Sequence, residues 1–146
     1  MRLVGRAGLP HDALPMTDSD EEARQALYLE GLALFGKDEH DAALVKYDVA
    51  LALDPDWTEA LHGKAMALMR LERYDEAIEV GLRIVELDPN DAFAHTSLSM
   101  FYQRKGMIDE AEAEGAKARM ISWKEELKKN PDAPPPGPAG SMNVIQ

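Results

Sequence analysis

The 146-residue chain contains no cysteine and carries a formal net charge of −11 at pH 7, and 45% of its residues are apolar, enough for one domain or a short repeat array to bury a core. Disulfide frameworks, zinc-thiolate sites and cysteine nucleophiles are excluded. An acidic surface also disfavours nucleic acid and anionic membrane, both of which demand clustered Lys and Arg, so the expected partner is another protein.

Residues 1–16 contain Pro10 and Pro15 and open with MRLVGRAGLP, which lacks the continuous apolar run of a signal peptide. They read as a flexible N-terminal segment of an unexported protein, with cytoplasm as the default compartment. No apolar stretch in the chain is long enough to span a membrane.

Residues 17–129 read as one helical domain built from repeats. ALDPDWTEA at 52–60 returns as ELDPNDAFA at 86–94, and the pairs Asp54-Pro55 and Asp88-Pro89 lie 34 residues apart. The same shift aligns Gly31, Ala65 and Ser99; Ala43, Ala77 and Ala111; Leu34, Leu68 and Tyr102; and Leu53, Leu87 and Ile121. Three copies follow, at about 24–57, 58–91 and 92–125. Each holds two helical stripes, such as Leu61, Ala65 and Leu68 and then Ala77, Ile78, Ile84, Val85 and Leu87. Proline cannot continue a helix and restricts the residue before it, so each Asp-Pro stops a second helix. Asp56, with Glu59 three residues on, and Asn90 are the expected caps of the helices that follow. The acidic run KDEHD at 37–41 reads as the first turn of a second helix, matched by Asp75 and Asp109.

The third copy lacks its Asp-Pro: Trp123 stands 34 residues after Pro89, so the last helix is expected to run on through MISWKEELKK. Ala116, Met120, Trp123 and Leu127 then form an extra apolar stripe, expected to fold back on the third hairpin. Self-association through Met120, Trp123 and Leu127 is the alternative. NPDAPPPGPAGSMNVIQ, residues 130–146, reads as a disordered Pro/Gly-rich tail.

This 34-residue helix-turn-helix unit, clearest in ALHGKAMALMRLERYDEAIEVGLRIVELDP, resembles the tetratricopeptide repeat. The resemblance implies an all-α fold, an α-solenoid of three hairpins with an extended C-terminal helix, in which first helices line a concave groove. Glu30 and His95 stand where the family prefers apolar residues, and Gly81 and Gly115 where an aromatic often fills the hairpin interface.

On that implication the groove carries Tyr28, Leu32 and Phe35, then His62, Met66 and Met69, then Thr96, Met100 and Gln103, with Phe93 beside them. The ladder is rich in methionine, which adapts to varied apolar ligands, and Met66 and Met100 serve equally well as core. Arg70 and Arg104 follow its last rungs, either to hold a ligand carboxylate or as solvated helix ends. Family members that grip acidic chaperone tails use a polar clamp. The corresponding places here hold Tyr28, Leu32, Gly63, Phe93 and Ser97, which argues against that activity.

Catalytic chemistry has no foothold in the motifs. No phosphate-cradling loop, HExxH pair or GxSxG elbow occurs, and His11, His40, His62 and His95 are not paired at helical metal spacing. His95 reads as a hydrogen-bonded interface histidine without a recognisable acid partner. The expectation is a non-enzyme without cofactor or metal that binds an apolar peptide or helix. A self-assembling homo-oligomeric subunit and a small chaperone for apolar client segments are the alternatives.

Overall fold

The computed structural model describes residues 15–137. Six helices follow in chain order: α1 (Asp18–Gly36), α2 (His40–Leu53), α3 (Thr58–Arg70), α4 (Tyr74–Leu87), α5 (Ala92–Arg104) and α6 (Ile108–Lys129). The second helices start at residues 40, 74 and 108, so the 34-residue period of the sequence is the period of the helices. The chain divides within α3 into two compact units, one ending at Ala67 and one beginning at Leu68.

The link from each first helix to its second is one motif used three times. In the first copy the Asp38 N–H donates to the Phe35 carbonyl at 3.0 Å and the Glu39 N–H to the Leu34 carbonyl at 2.9 Å. Leu68, Met69, Glu72 and Arg73 repeat this pairing, as do Tyr102, Gln103, Gly106 and Met107. This is the Schellman closure, which satisfies the last helical carbonyls and needs a left-handed residue just past the cap. Asp38 (φ 61°), Glu72 (φ 60°) and Gly106 (φ 79°) fill that position.

The second helices also stop by a shared device. At Asp54 and Asp88 the residue three places on returns its N–H to the Asp carbonyl, Trp57 at 3.2 Å and Asp91 at 3.1 Å, with Pro preset at the second turn position. The cap of α5 sits one residue later than the spacing suggests. Asp91, not Asn90, caps α5 through its carboxylate to the Ala94 N–H at 3.0 Å, while the Asn90 N–H donates to Asp88 Oδ1. Asp56 lies in the turn itself, and α3 begins at Thr58.

In the first unit α1 begins ahead of the repeat. Thr17 and Asp20 form a reciprocal capping box, the Asp20 N–H donating to Thr17 Oγ1 at 3.1 Å and the Thr17 N–H to Asp20 Oδ2 at 3.3 Å. The core of this unit is the Tyr47 ring of α2, only 1% exposed. A Cβ at Gly31 would lie 2.6 Å from its Cε1, and one at Gly63 would lie 2.7 Å from its Cζ. The two glycines bring the α1 and α3 backbones against the ring, where any side chain would collide. Glu30 is accommodated at the surface by Lys46 of α2, 2.9 Å away.

In the second unit α5 packs against both α4 and α6. Gly81 has the role of Gly31 and Gly63: its missing Cβ leaves room for Leu98, whose Cδ2 would be 2.7 Å from it. Leu98, Phe101 and Ile84 are fully buried there, and the Ser99 hydroxyl donates to the Ala111 carbonyl at 2.7 Å. The stripe expected to fold back from α6 divides, with Ala116 and Met120 exposed and Trp123 and Leu127 half-buried. α6 is 22 residues long against 14 for α2 and α4, and it ends where Asn130-Pro131 supplies the stop that position 122 lacks.

Candidate interaction surface

The first helices carry the residues that the groove expectation names, and each unit treats them differently. In the first unit Tyr28 is half-buried in an aromatic cluster, its ring 6.1 Å from that of Tyr47 and 5.0 Å from that of Trp57. The Arg24 guanidinium stacks over Trp57 at 4.6 Å and pairs with Asp54, tying the start of α1 to the end of α2. Burial, reinforced by the charge of Glu59, raises the Tyr28 hydroxyl above its ordinary pKa. Phe35 stands edge-on to His40, with ring centres 4.7 Å apart. Between these two packed aromatics Leu32 is 43% exposed, while His62 and Met66 on α3 are half-buried.

In the second unit Met69 is buried, only 6% exposed, and so belongs to the core rather than to an open surface. Arg70, Gln103 and Arg104 are exposed near the ends of their helices, and Met100 is half-buried. Phe93, on the first turn of α5, is 57% exposed. The Thr96 hydroxyl donates to the Ala92 carbonyl at 2.9 Å, and Thr96 also lines a cleft with Trp123 and the segment that follows α6.

Sequence reasoning missed one site outright: His95 does have an acid partner. Its Nδ1 lies 2.6 Å from Glu114 Oε2 on α6 and its Nε2 2.8 Å from the Pro89 carbonyl, both side chains being buried. Lys117 reaches the other Glu114 oxygen at 3.2 Å. The signal was present in the repeat register. Thirty-four residues earlier the same two positions hold Leu61 and Val80, so the third copy exchanges an apolar pair for a polar one at both places together. Among the described residues no three His, Asp or Glu side chains converge as metal ligands, and no helix is long and apolar enough to cross a membrane.

Comparison with known proteins agrees with the period. A model of the tetratricopeptide repeat matches residues 34–100. A TPR repeat-containing thioredoxin, TTL4 of Arabidopsis thaliana, is 34% identical over 99 residues, which cover 68% of this chain but 14% of that protein. Among solved structures, MamA superposes with a TM-score of 0.68 at 28% identity, over 71% of this chain and 61% of its own. The second TPR of Spaghetti (RPAP3), solved bound to the HSP90 peptide SRMEEVD, superposes at 0.66 with 17% identity, over 72% and 99%, and so shares the fold alone. By repeat length, hairpin order and these matches, the chain belongs to the tetratricopeptide repeat proteins, with the all-α solenoid fold of that family.

Proposed function

We propose that this chain is a non-catalytic interaction module that receives an apolar extended or helical segment of another protein on the first helices of its hairpins. The observation that best supports the reading is the exposure of Leu32 on α1 and Phe93 on α5, large apolar side chains held outside the core of their own units. The Spaghetti domain is a relative in fold that takes a peptide, and that peptide is acidic. Here Leu32, Gly63 and Phe93 stand where the family's polar clamp is expected, and the net charge is −11, so an apolar ligand suits these residues better than an acidic one.

The test is affinity capture from the native cell with crosslinking and mass spectrometry, comparing the unaltered chain with a Leu32→Glu, Phe93→Glu double variant. Both sites are exposed, so helicity and melting should be unchanged while specific partners are lost. Partners retained by a folded double variant would remove these side chains from the function.

A second reading, self-assembly through α6, is favoured by Met120, which is 40% exposed. Sedimentation over a concentration range separates the two, because a strict monomer at high concentration eliminates assembly.

A further inference from the structure

We propose that the side of α6 bearing Ser122 and Trp123, with Thr96 of α5, is a receptor site for a proline-rich extended peptide, and that the chain's own Ala133–Pro136 segment straps over it, anchored at Ala133. This site is separate from the exposed Leu32 and Phe93 on which the interaction reading rests.

The segment is placed by a turn written in the sequence. After α6 the Asn130 N–H closes on the Glu126 carbonyl at 2.7 Å, and Asn130-Pro131-Asp132-Ala133 reverses the chain. The Ala133 N–H returns to the Asn130 carbonyl at 3.0 Å and the Asp132 N–H to Asn130 Oδ1 at 3.2 Å. Asn at the first turn position and Pro at the second are the residues such a turn selects.

The same turn at Asp54 and Asp88 leads into a further helix. Here Pro134, Pro135 and Pro136 remove three successive backbone donors and bar helical continuation, so the chain stays extended. The turn brings the Ala133 carbonyl to the Trp123 indole, whose Nε1–H donates to it at 3.1 Å, and Ala133 is buried at 9% exposure. Beyond it, Pro134–Gly137 line a cleft of about 570 Å³. Thr96, Ala118, Ser122 and Trp123 line the same cleft.

These are the parts that recognition of a polyproline helix needs. Such a segment makes no internal hydrogen bonds, so its carbonyls remain open to a donor, and it is ordered before it binds, so little conformational entropy is lost. An indole offers a flat apolar face and one N–H in the same side chain, the combination used by aromatic grooves that bind proline-rich ligands. A tether of a few residues holds the internal ligand at an effective concentration on the order of millimolar, which a tighter proline-rich segment of another protein can exceed.

The experiment uses the full chain and its two tryptophans, Trp57 and Trp123, as indole N–H signals in NMR. In the unaltered chain the Trp123 indole should exchange slowly with solvent. Replacing the strap prolines, Pro134→Gly with Pro135→Ser and Pro136→Gly, should speed that exchange at least tenfold without unfolding the helices. A synthetic peptide of residues 130–137 should then shift the Trp123 signal of this variant at a concentration at least tenfold below that needed for the unaltered chain. Adding Trp123→Phe, which keeps a ring but removes the donor, should weaken binding of the same peptide carrying a fluorescent label at least tenfold, followed by anisotropy because this variant lacks the indole signal. Unchanged indole exchange in the proline variant, absence of peptide binding to it, or equal binding by both chains would overturn the proposal. None of these outcomes bears on the roles of Leu32 and Phe93.

Discussion

The Tyr47 ring fills the space where a side chain at Gly63 would begin, 2.7 Å from the position of the missing Cβ. Gly31 faces the same ring as closely, at 2.6 Å, so one aromatic is enclosed by two glycines from two different helices. Interior helical glycine normally costs about 1 kcal/mol relative to alanine, and on that ground alone Gly63→Ala would stabilise α3. The opposite is expected. A methyl group at 2.7 Å must displace a ring that is 1% exposed, and overpacking of this kind costs roughly 1–3 kcal/mol. Thermal melts of Gly63→Ala should show a lower midpoint, and combining it with Tyr47→Leu should cost less than the sum of the two changes. A raised midpoint for Gly63→Ala would show that the ring moves freely.

The left-handed residue in each hairpin closure predicts the reverse effect of glycine. Only the third copy has Gly there, at Gly106, while Asp38 and Glu72 hold φ near +60° with a side chain. An L-residue in this conformation costs roughly 1–2 kcal/mol, part of which Gly regains despite its greater freedom when unfolded. Glu72→Gly should therefore stabilise the chain by about 0.5–1 kcal/mol, measured by urea unfolding with an unchanged m value. Destabilisation would mean that the Glu72 side chain makes a compensating contact.

The hydroxyls of buried and half-buried tyrosines set an alkaline limit. Burial, helped by neighbouring Tyr28, pushes Tyr47 up to about 12 from an ordinary 10.0, and burial also raises Tyr28 and Tyr102. The folded form resists ionisation that the unfolded form accepts. The stabilisation is thus whole below pH 10 and is lost as the pH climbs towards 12. Unfolding midpoints should fall across that window, and Tyr47→Phe should flatten the fall while leaving the neutral-pH fold intact. An equally steep fall in Tyr47→Phe would place the alkaline limit elsewhere.

Much of this fold was legible because the 34-residue register constrains many positions at once, so helix starts at 40, 74 and 108 follow from small residues and Asp-Pro stops alone. What escaped was either local or pairwise. Thr17 and Asp20 start α1 ahead of the register, and a capping box so short carries little weight until the helix is seen. Asn130-Pro131 stops α6 eight residues late, just over two helical turns, so a search at the fixed period passed it by. Trp123 looked like part of an apolar stripe because its N–H bond to Ala133 depends on that late turn. The groove residues divided on a matter that periodicity does not decide: Met69 and Leu32 occupy matching stripes, yet one is core and the other exposed.

The pair of His95 and Glu114 supplies the sharpest test of how the repeats exchange residues. Each side chain is buried, and the imidazole spans a carboxylate and a carbonyl, both of which accept hydrogen bonds. His95→Leu removes the donor and leaves the Glu114 carboxylate paired with Lys117, from a side chain that is largely in solvent. Stranding a buried charge in this way costs about 3 kcal/mol. Glu114→Val alone strands one imidazole nitrogen instead, at roughly 1–3 kcal/mol. The double variant restores the residue types that the second copy holds as Leu61 and Val80, and well-packed apolar replacements of a buried ion pair are commonly neutral or stabilising. Chemical denaturation of the four chains should therefore give a favourable coupling energy of at least about 2 kcal/mol between the two substitutions, with the double variant as stable as the starting chain. Additive losses would show that the pair is not exchangeable for the apolar one and that α5 and α6 are shaped around the polar contact.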